Sequence, residues 1–242
     1  MTNEQTKKVD IGNVLNDSFE LFKKTFLTAG LAFGLLMFFV TGMALVGIQF
    51  FVGFENIQEL AKKIDPKAMD LKAGIIYYFV VLTFSILIAP FNAGILKIMD
   101  NADKDEEIST STIFTYVNSK HYLDLVFATF ITVSLSFIIN FGLQYILSEN
   151  EILSSVITSI LSIIVSMFLY LVIPFIIFED LDALKAINKS LQSCSKNFFQ
   201  ILLLVIISII LGYVGIIAFC FGVLFTFPIY YATQYAIYKS VK

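Results

Sequence analysis

Six long apolar runs without a charged side chain constrain this chain more than any other feature. They cover about residues 25–52, 73–96, 125–148, 152–178, 198–219 and 222–238. A helix needs about 20 apolar residues to cross a hydrocarbon core of about 30 Å. The runs are continuous, whereas the strands of membrane barrels alternate between apolar and polar residues. The runs therefore predict six transmembrane helices, or five if the turn near Gly222 between the last two runs is absent.

The composition excludes an ordinary soluble domain. Of the 242 residues, 58% are apolar and only 14% are charged, whereas about 25% of the residues in a soluble domain are charged. All 16 basic residues are lysines, and the lack of arginine argues against bidentate recognition of phosphate or nucleic acid. Residues 1–24 have neither the short apolar core nor the cleavage site of a signal peptide. We therefore expect a polytopic membrane protein that retains its first span and has no nucleic-acid partner.

The distribution of the lysines predicts the orientation of the chain. Twelve lysines lie in segments that face the cytoplasm if the N-terminus is inside, and four lie in the outer loop 53–72. Isoleucine, phenylalanine, lysine and asparagine are abundant, as is typical of proteins from AT-rich bacterial genomes. The sequence thus predicts a multi-pass protein of the bacterial cytoplasmic (inner) membrane with both termini in the cytoplasm.

Three of the four prolines occupy equivalent places in alternate runs. Pro90, Pro174 and Pro228 lie in the second, fourth and sixth runs, each in the half nearer the predicted inner face. Proline frees a backbone carbonyl and kinks a membrane helix, so we expect a kink in each of these spans. If the three spans meet around a common centre, the side-chain amides of Asn92 and Gln234 would face each other.

The first, third and fifth runs are each preceded by an amphipathic segment. In the first segment, the apolar residues between Ile11 and Phe26 recur at helical spacing on one face. The pattern predicts a unit of interfacial helix, span and return span that is used three times, over about 10–99, 108–178 and 181–240. The predicted fold is an all-α transmembrane bundle of three helix pairs, forming a single domain over 1–242.

Two stripes of small polar residues follow one face of the third span and one face of the fourth span. Such stripes are typical of closely packed helices that form hydrogen bonds across their interface. The alternative is a polar cavity for a lipid headgroup or a small solute. The stripes consist of Thr132, Ser136, Asn140 and Gln144 on the third span, and of Ser155, Ser159, Ser162 and Ser166 on the fourth.

The spans offer little to catalysis or metal binding. They contain no Asp, Glu, Lys or His, which argues against ion-coupled transport. His121 is the only histidine, and Cys194 and Cys220 have no neighbouring residues of the metal-binding type. We expect no catalytic residue, no metal site and no cofactor.

The C-terminal third resembles a six-span bacterial group that includes the membrane domain of some glycerophosphoryl diester phosphodiesterases. The resemblance covers about residues 165–242, and the N-terminal half is similar only in layout. It rests on Pro174 to Asp180, Ile187 to Ser190, Lys196 to Phe198, Gly222, Pro228, Ala232 and Tyr238. In fused members catalysis belongs to a separate soluble domain, so the resemblance implies no catalytic residue here. It implies structural roles for Ser190, Lys196, Asn197 and Tyr238.

These features favour a non-enzymatic membrane protein that binds lipid or an integral-membrane partner, as an accessory or scaffold subunit. Lysines and phenylalanines at the inner leaflet would suit anionic lipid. The alternative is a permease or lipid transporter with a polar path along spans three and four. The sequence leaves open the ligand, the partner and the oligomeric state.

Overall fold

The computed structural model describes residues 8–51, 53, 55, 71–146, 151–218 and 222–242. These residues are mostly helical and contain no β-strand, so the all-α prediction is confirmed for them. A short 3-10 helix covers Thr110–Phe114. The α-helices in chain order are α1 (Ile11–Phe51), α2 (Leu71–Asp103), α3 (Tyr122–Ile146), α4 (Glu151–Phe168), α5 (Val172–Glu179), α6 (Ala183–Lys196), α7 (Phe198–Ala218), α8 (Val223–Thr226) and α9 (Pro228–Val241).

Within the described ranges, five helical stretches are long and apolar enough to cross a membrane. They are Ile11–Phe50, Leu71–Asp103, Tyr122–Leu143, Ile152–Glu179 and Phe198–Ile217. They coincide with the first five apolar runs of the sequence. The chain therefore has the helices that a polytopic membrane protein requires.

The sixth apolar run is divided between two helices that return along α7. The four-residue helix α8 ends before Pro228, which opens α9 because its fixed φ suits the first turn of a helix. A Cβ atom on Gly215 would overlap the carbonyl carbon of Gly222. The Thr226 hydroxyl donates a 2.6 Å hydrogen bond to the carbonyl of Gly212. The turn near Gly222 is thus present, α8 runs antiparallel to α7, and the six-span arrangement itself stays a prediction.

The three amphipathic segments have different structures. The first, Ile11 to Phe26, is continuous with α1 and leads into the apolar run as one helix. The second contains the 3-10 helix and turns, and the third is the separate helix α6. Asp182 caps α6 by accepting a 2.9 Å hydrogen bond from the backbone N–H of Lys185. Only the third segment is therefore a helix distinct from the span that follows it.

The chain divides into two compact units. The first joins Met1–Gly34, Pro90–Ala128 and Met167–Lys242, and the second joins Leu35–Ala89 and Thr129–Ser166. Helices α1, α2 and α3 contribute residues to both units, so the division does not separate two lengths of sequence. The single-domain prediction over 1–242 stays a prediction.

The core of the first unit includes the segments that follow the three prolines. Pro90, Pro174 and Pro228 are all buried. The residues after them include the fully buried side chains Ile95, Leu96, Ile98, Met99, Phe175, Ile176 and Ile237. The segments pack against one another, since the Phe175 and Tyr238 rings lie 5.7 Å apart. The segments after Pro174 and Pro228 therefore contact each other, and the segment after Pro90 contacts the last one through Asp100 and Tyr235. The threefold repeat itself stays a prediction.

The second unit is held by contacts between α2 and α3 and between α3 and α4. The Tyr78 hydroxyl lies 2.7 Å from the Ser134 hydroxyl, and the Tyr78 ring packs on Phe137 at 4.9 Å. Gly74 lies against the Phe141 ring, which a Cβ atom at this position would approach to 2.5 Å. A larger residue at position 74 would therefore force the Phe141 ring to move.

Candidate functional site

The helical path from α4 to α5 is interrupted at residues 169–171, and three side chains bind the freed backbone groups. Pro174 has no N–H to donate to the carbonyl of Tyr170, four residues earlier. The side-chain amide of Gln234 in α9 donates to that carbonyl instead. The Tyr170 hydroxyl in turn donates to the carbonyl of Tyr230 at 2.9 Å. The break is thus fixed to the last helix of the chain from both directions.

Two residues of α6 complete the same break. The Ser190 hydroxyl accepts a 3.2 Å hydrogen bond from the N–H of Leu171 and donates a 2.6 Å bond to the carbonyl of Phe168. The Cys194 thiol donates to the carbonyl of Met167 at 3.2 Å. Burial raises the pKa of this thiol to about 11, so it stays protonated at neutral pH. Backbone breaks are tolerated inside membranes when side chains satisfy them in this way.

A buried carboxylate joins the end of α2 to α9. Asp100 is 4% exposed and accepts from the ammonium groups of Lys97 and Lys104 at 2.6 and 2.9 Å. The Tyr235 hydroxyl contacts Asp100 Oδ1 at 2.9 Å and Asp103 Oδ2 at 3.2 Å. Lys239 pairs with Asp103 at 2.7 Å. This network fully engages Asp100, so it serves as an anchor for the last helix rather than as a free acid or base.

The side-chain amides of Asn92 and Gln234 do not face each other, contrary to the expectation from the sequence. Asn92 Oδ1 accepts a 2.7 Å hydrogen bond from the Tyr231 hydroxyl, while Gln234 donates to the Tyr170 carbonyl. The contacts of the two amides therefore differ, because one accepts from a hydroxyl group and the other donates to a backbone carbonyl.

Part of the apolar face of the first amphipathic segment is exposed, while Ile11, Leu15 and Phe22 on that face are half-buried. Phe19 and Phe26 are 40% and 46% exposed, and Lys23 lies exposed on the same face, four residues after the first ring and three before the second. Lys23 makes no ion pair with any described residue. The opposite face, which includes Val14, Ser18, Leu21, Thr25 and Ala29, is buried.

Exposed apolar side chains also accompany lysines in the second and third segments. Phe114 and Val117 are exposed beside Lys120, which pairs with Asp180 at 2.6 Å. On α6 and the start of α7, exposed lysines lie near large exposed apolar residues, namely Leu184, Leu191 and Phe199. All three segments thus present apolar side chains and ammonium groups together, as interfacial segments do.

Three of the four positions Ser190, Lys196, Asn197 and Tyr238 make buried contacts, and the resemblance itself stays a prediction. Ser190 satisfies the helix break, and Asn197 Oδ1 accepts a 3.1 Å hydrogen bond from the N–H of Val9. Tyr238 is 3% exposed and packs on Phe175 and Phe178. Lys196 ends α6 and is exposed.

Asn140 and Ser162 join the two polar stripes of the second unit. The Asn140 amide donates a 3.2 Å hydrogen bond to the Ser162 hydroxyl and a 2.7 Å bond to the carbonyl of Ser136. Thr132 and Ser136 are half-buried, whereas Ser155, Ser159 and Ser166 are exposed or half-buried. The side chain of Gln144 lies outside the described residues.

Two hydroxyl residues of α4 that the stripe does not include are more buried than its members. The buried hydroxyls of α4 belong to Ser154 and Thr158, each 5% exposed, which share a face with Ser162 at steps of four. The hydroxyl oxygens of Ser154 and Thr158 have no hydrogen-bond partner among the described residues. Steps of three and four both fit a helix face, so spacing alone does not distinguish Ser154 and Thr158 from Ser155 and Ser159.

The single histidine has a structural environment. His121 Nδ1 lies 3.6 Å from Asp180, and its ring packs edge-on against Tyr116 at 5.9 Å. Burial raises the pKa of Tyr116 to about 12. Within the described ranges, no group of three or more His, Cys, Asp or Glu side chains is arranged to hold a metal ion.

Sequence reasoning missed the anchor around Asp100 and the role of Gln234. The spacing of Lys97, Asp100 and Lys104 is a readable helical ion-pair signal, but nothing local indicates Tyr235, 135 residues away from Asp100. Comparison with protein-family models, curated proteins and solved structures finds no match for this chain.

Proposed function

We propose that this chain is a non-enzymatic inner-membrane protein of six spans that binds phospholipid headgroups at the cytoplasmic surface. The exposed row of Phe19, Lys23 and Phe26 carries the proposal. It combines two rings with an ammonium group that pairs with no described carboxylate. Such a row on one helix face suits the boundary between acyl chains and phosphates, where the rings are buried and the charge is paired.

The rest of the first unit supports a binding role over chemistry. Its carboxylates at Asp100 and Asp103 are engaged by lysines and Tyr235, and its backbone break is satisfied by Ser190 and Gln234. These contacts favour a rigid scaffold that holds the outward-facing lysines in place. A rigid protein that binds lipid in this way would also suit the role of an accessory subunit beside an integral-membrane partner.

A permease path along the third and fourth spans receives less support. Asn140 and Ser162 bond to each other, and the Ser159 hydroxyl bonds back to the carbonyl of Ser155 in its own helix. The contacts of this stripe favour helix packing.

Lipid selectivity in reconstituted membranes tests the proposal. We expect spin-labelled phosphatidylglycerol to be retained at the protein surface in preference to phosphatidylcholine, with a preference that falls as salt rises. Lys23→Gln should reduce the preference by about fivefold, because one lysine near an anionic surface contributes about 1 kcal/mol. Lys72→Gln is the matched control, since Lys72 is also exposed and makes no ion pair with a described residue.

Equal effects of the two substitutions, or no preference for the anionic lipid in the unmodified protein, would refute the proposal. Gentle solubilisation from native membranes, followed by mass spectrometry of proteins and lipids together, tests the accessory role. A stoichiometric membrane protein would support it, and bound lipid alone would restrict the function to lipid binding.

A further inference from the structure

A carboxylate and a set of aromatic rings enclose an ammonium group between α5, α6 and α9. The ammonium of Lys189 is hydrogen-bonded to Glu179 Oε2 and lies 4.9 Å from the centroid of the Phe175 ring. The Tyr238 ring stands edge-on to Phe175 at 5.7 Å and packs on Phe178 at 5.3 Å. We call Phe175, Phe178, Glu179 and Tyr238 the ammonium box. A ring face together with a carboxylate is a favourable site for a cation.

Two rings of the box are buried, whereas Phe178, Glu179 and the lysine are partly exposed. Phe175 is fully buried and Tyr238 is 3% exposed, while the side chains of Glu179 and Lys189 are 15% and 42% exposed. The lysine therefore reaches the box from the protein surface on a flexible stem. It can swing out without disturbing the rings.

The box also has unused hydrogen-bonding capacity. Glu179 Oε1 and the Tyr238 hydroxyl are enclosed and have no hydrogen-bond partner in the part of the chain that the structure describes. An ammonium group with three N–H donors can bond to both carboxylate oxygens at once. Lys189 engages only Glu179 Oε2, and the Lys242 ammonium lies 5.8 Å from the centroid of the Tyr238 ring. Glu179 Oε1 therefore stays without a donor among the described residues.

The position of the box places it near lipid headgroups. Glu179 is the last residue of the candidate span Ile152–Glu179. The next helix exposes Leu184 and Leu191, at 57% and 38%, beside which acyl chains would lie. A lipid bound here would present its headgroup at the end of the span.

We propose that the ammonium box binds the primary ammonium of an ethanolamine-type lipid headgroup, in competition with Lys189. This inference rests on the lipid-binding function proposed above and specifies a second headgroup class. A primary ammonium is favoured over a choline group because it donates hydrogen bonds to Glu179, which a quaternary ammonium cannot do. Lys189 keeps the unmodified protein at low affinity.

Opposite effects of two substitutions test the competition. Binding of phosphatidylethanolamine relative to phosphatidylcholine is measured by native mass spectrometry of protein released from mixed nanodiscs. Lys189→Met should raise the ethanolamine preference by about tenfold or more, the scale of one hydrogen bond to a charged group, which a choline group cannot form. Glu179→Gln should abolish the preference, both alone and in the Lys189→Met background. Lys185→Met, one turn earlier on α6, is the control and should leave the ethanolamine preference unchanged.

A purely structural ion pair predicts a different result. Both Lys189→Met and Glu179→Gln would then lose stability, and neither would gain ethanolamine selectivity, which overturns the inference. If Lys189→Met purifies poorly, Lys189→Gln replaces it, because glutamine removes the charge and keeps an N–H donor toward Glu179.

Two further outcomes distinguish a lipid headgroup from a free amine, and this inference from the proposed function. Soluble ethanolamine should compete only weakly with the lipid, and a free amine that binds without any lipid preference overturns the headgroup assignment. Loss of the ethanolamine effect with retained phosphatidylglycerol selectivity refutes only this inference. Loss of phosphatidylglycerol selectivity alone refutes the proposed function.

Discussion

The side-chain amide of Gln234 donates a hydrogen bond to the backbone carbonyl of Tyr170, which Pro174 leaves without a helical donor. The bond joins α9 to the break between α4 and α5 across 64 residues of sequence. Leaving a buried carbonyl without a hydrogen-bond donor lowers the free energy of unfolding by about 1–3 kcal/mol.

Gln234→Leu should therefore destabilise the protein by about 1–3 kcal/mol. The free energy of unfolding is measured by titration with sodium dodecyl sulfate in mixed micelles, with circular dichroism as the signal. In a Pro174→Ala background the substitution should cost less, since the alanine that replaces the proline supplies a backbone N–H. Equal losses in both backgrounds would show that Gln234 does not act through the Tyr170 carbonyl.

Tyr235→Phe removes the hydroxyl that contacts Asp100 and Asp103. Hydrogen bonds to charged groups contribute about 1.5–3 kcal/mol, and we expect a loss of that size in the same titration. Tyr213→Phe is the control, because Tyr213 is 52% exposed, and it should change stability by less than about 0.5 kcal/mol. Indistinguishable behaviour of the two variants would contradict the anchoring role of Tyr235.

Gly94→Ala tests the close contact between α2 and the 3-10 helix. A Cβ atom at position 94 would overlap the backbone carbonyl of Ile113, so the backbone must shift. We expect a loss of about 1–3 kcal/mol or more, read as a lower melting temperature in detergent. Gly42→Ala is the matched control, because no described atom lies within 4 Å of its added Cβ atom, and it should be neutral or stabilising.

Asn140 and Ser162 should be coupled by about 0.6 kcal/mol, the average for hydrogen bonds between membrane helices. A double-mutant cycle with Asn140→Leu and Ser162→Ala measures this energy in the unfolding titration. Ser159→Ala replaces Ser162→Ala in the control cycle, because Ser159 is exposed and its hydroxyl donates to the carbonyl of Ser155 in its own helix. A coupling as large in the control cycle would argue against a direct Asn140–Ser162 bond.

Low pH should lower the stability of the protein partly by protonating Asp182, which caps α6. Hydrogen bonds from the side chain and backbone N–H of Lys185 lower the pKa of Asp182. Its stabilising contribution is therefore complete above the unfolded value of about 3.9 and is lost as pH falls through the lower folded value. Asp182→Asn keeps a capping oxygen but cannot titrate, so its melting temperature should fall less between about pH 5 and pH 3. An acid limb as steep as that of the unmodified protein would contradict this assignment.

Local pattern predicted the elements of the fold well. The first five apolar runs correspond to helices of membrane-spanning length. A single chain segment in lipid can satisfy its backbone hydrogen bonds by itself only as a helix. The prolines marked where regular hydrogen bonding changes: Pro174 follows a break, and Pro228 opens a helix. Pro90, by contrast, lies inside the continuous helix α2, so a proline alone does not predict a break.

The same pattern failed to identify which faces are buried. In a membrane helix both the lipid-facing and the protein-facing sides are apolar, so periodicity gives little information about which side packs inward. On α4 this ambiguity selected Ser155 and Ser159, while Ser154 and Thr158 are the buried hydroxyls. At the start of α1, by contrast, the charged residues Asp17, Glu20 and Lys24 mark exposed positions.

The sequence by itself determined that this chain is helical and that it carries helices able to span a membrane. These properties follow from hydropathy and backbone chemistry, which act over a few residues. Only the tertiary structure decided that Tyr235 reaches Asp100, that Gln234 satisfies Tyr170, and that Lys189 occupies a box of rings beside Glu179. Such pairs are set by how helices distant in sequence pack, and no local periodicity encodes that packing.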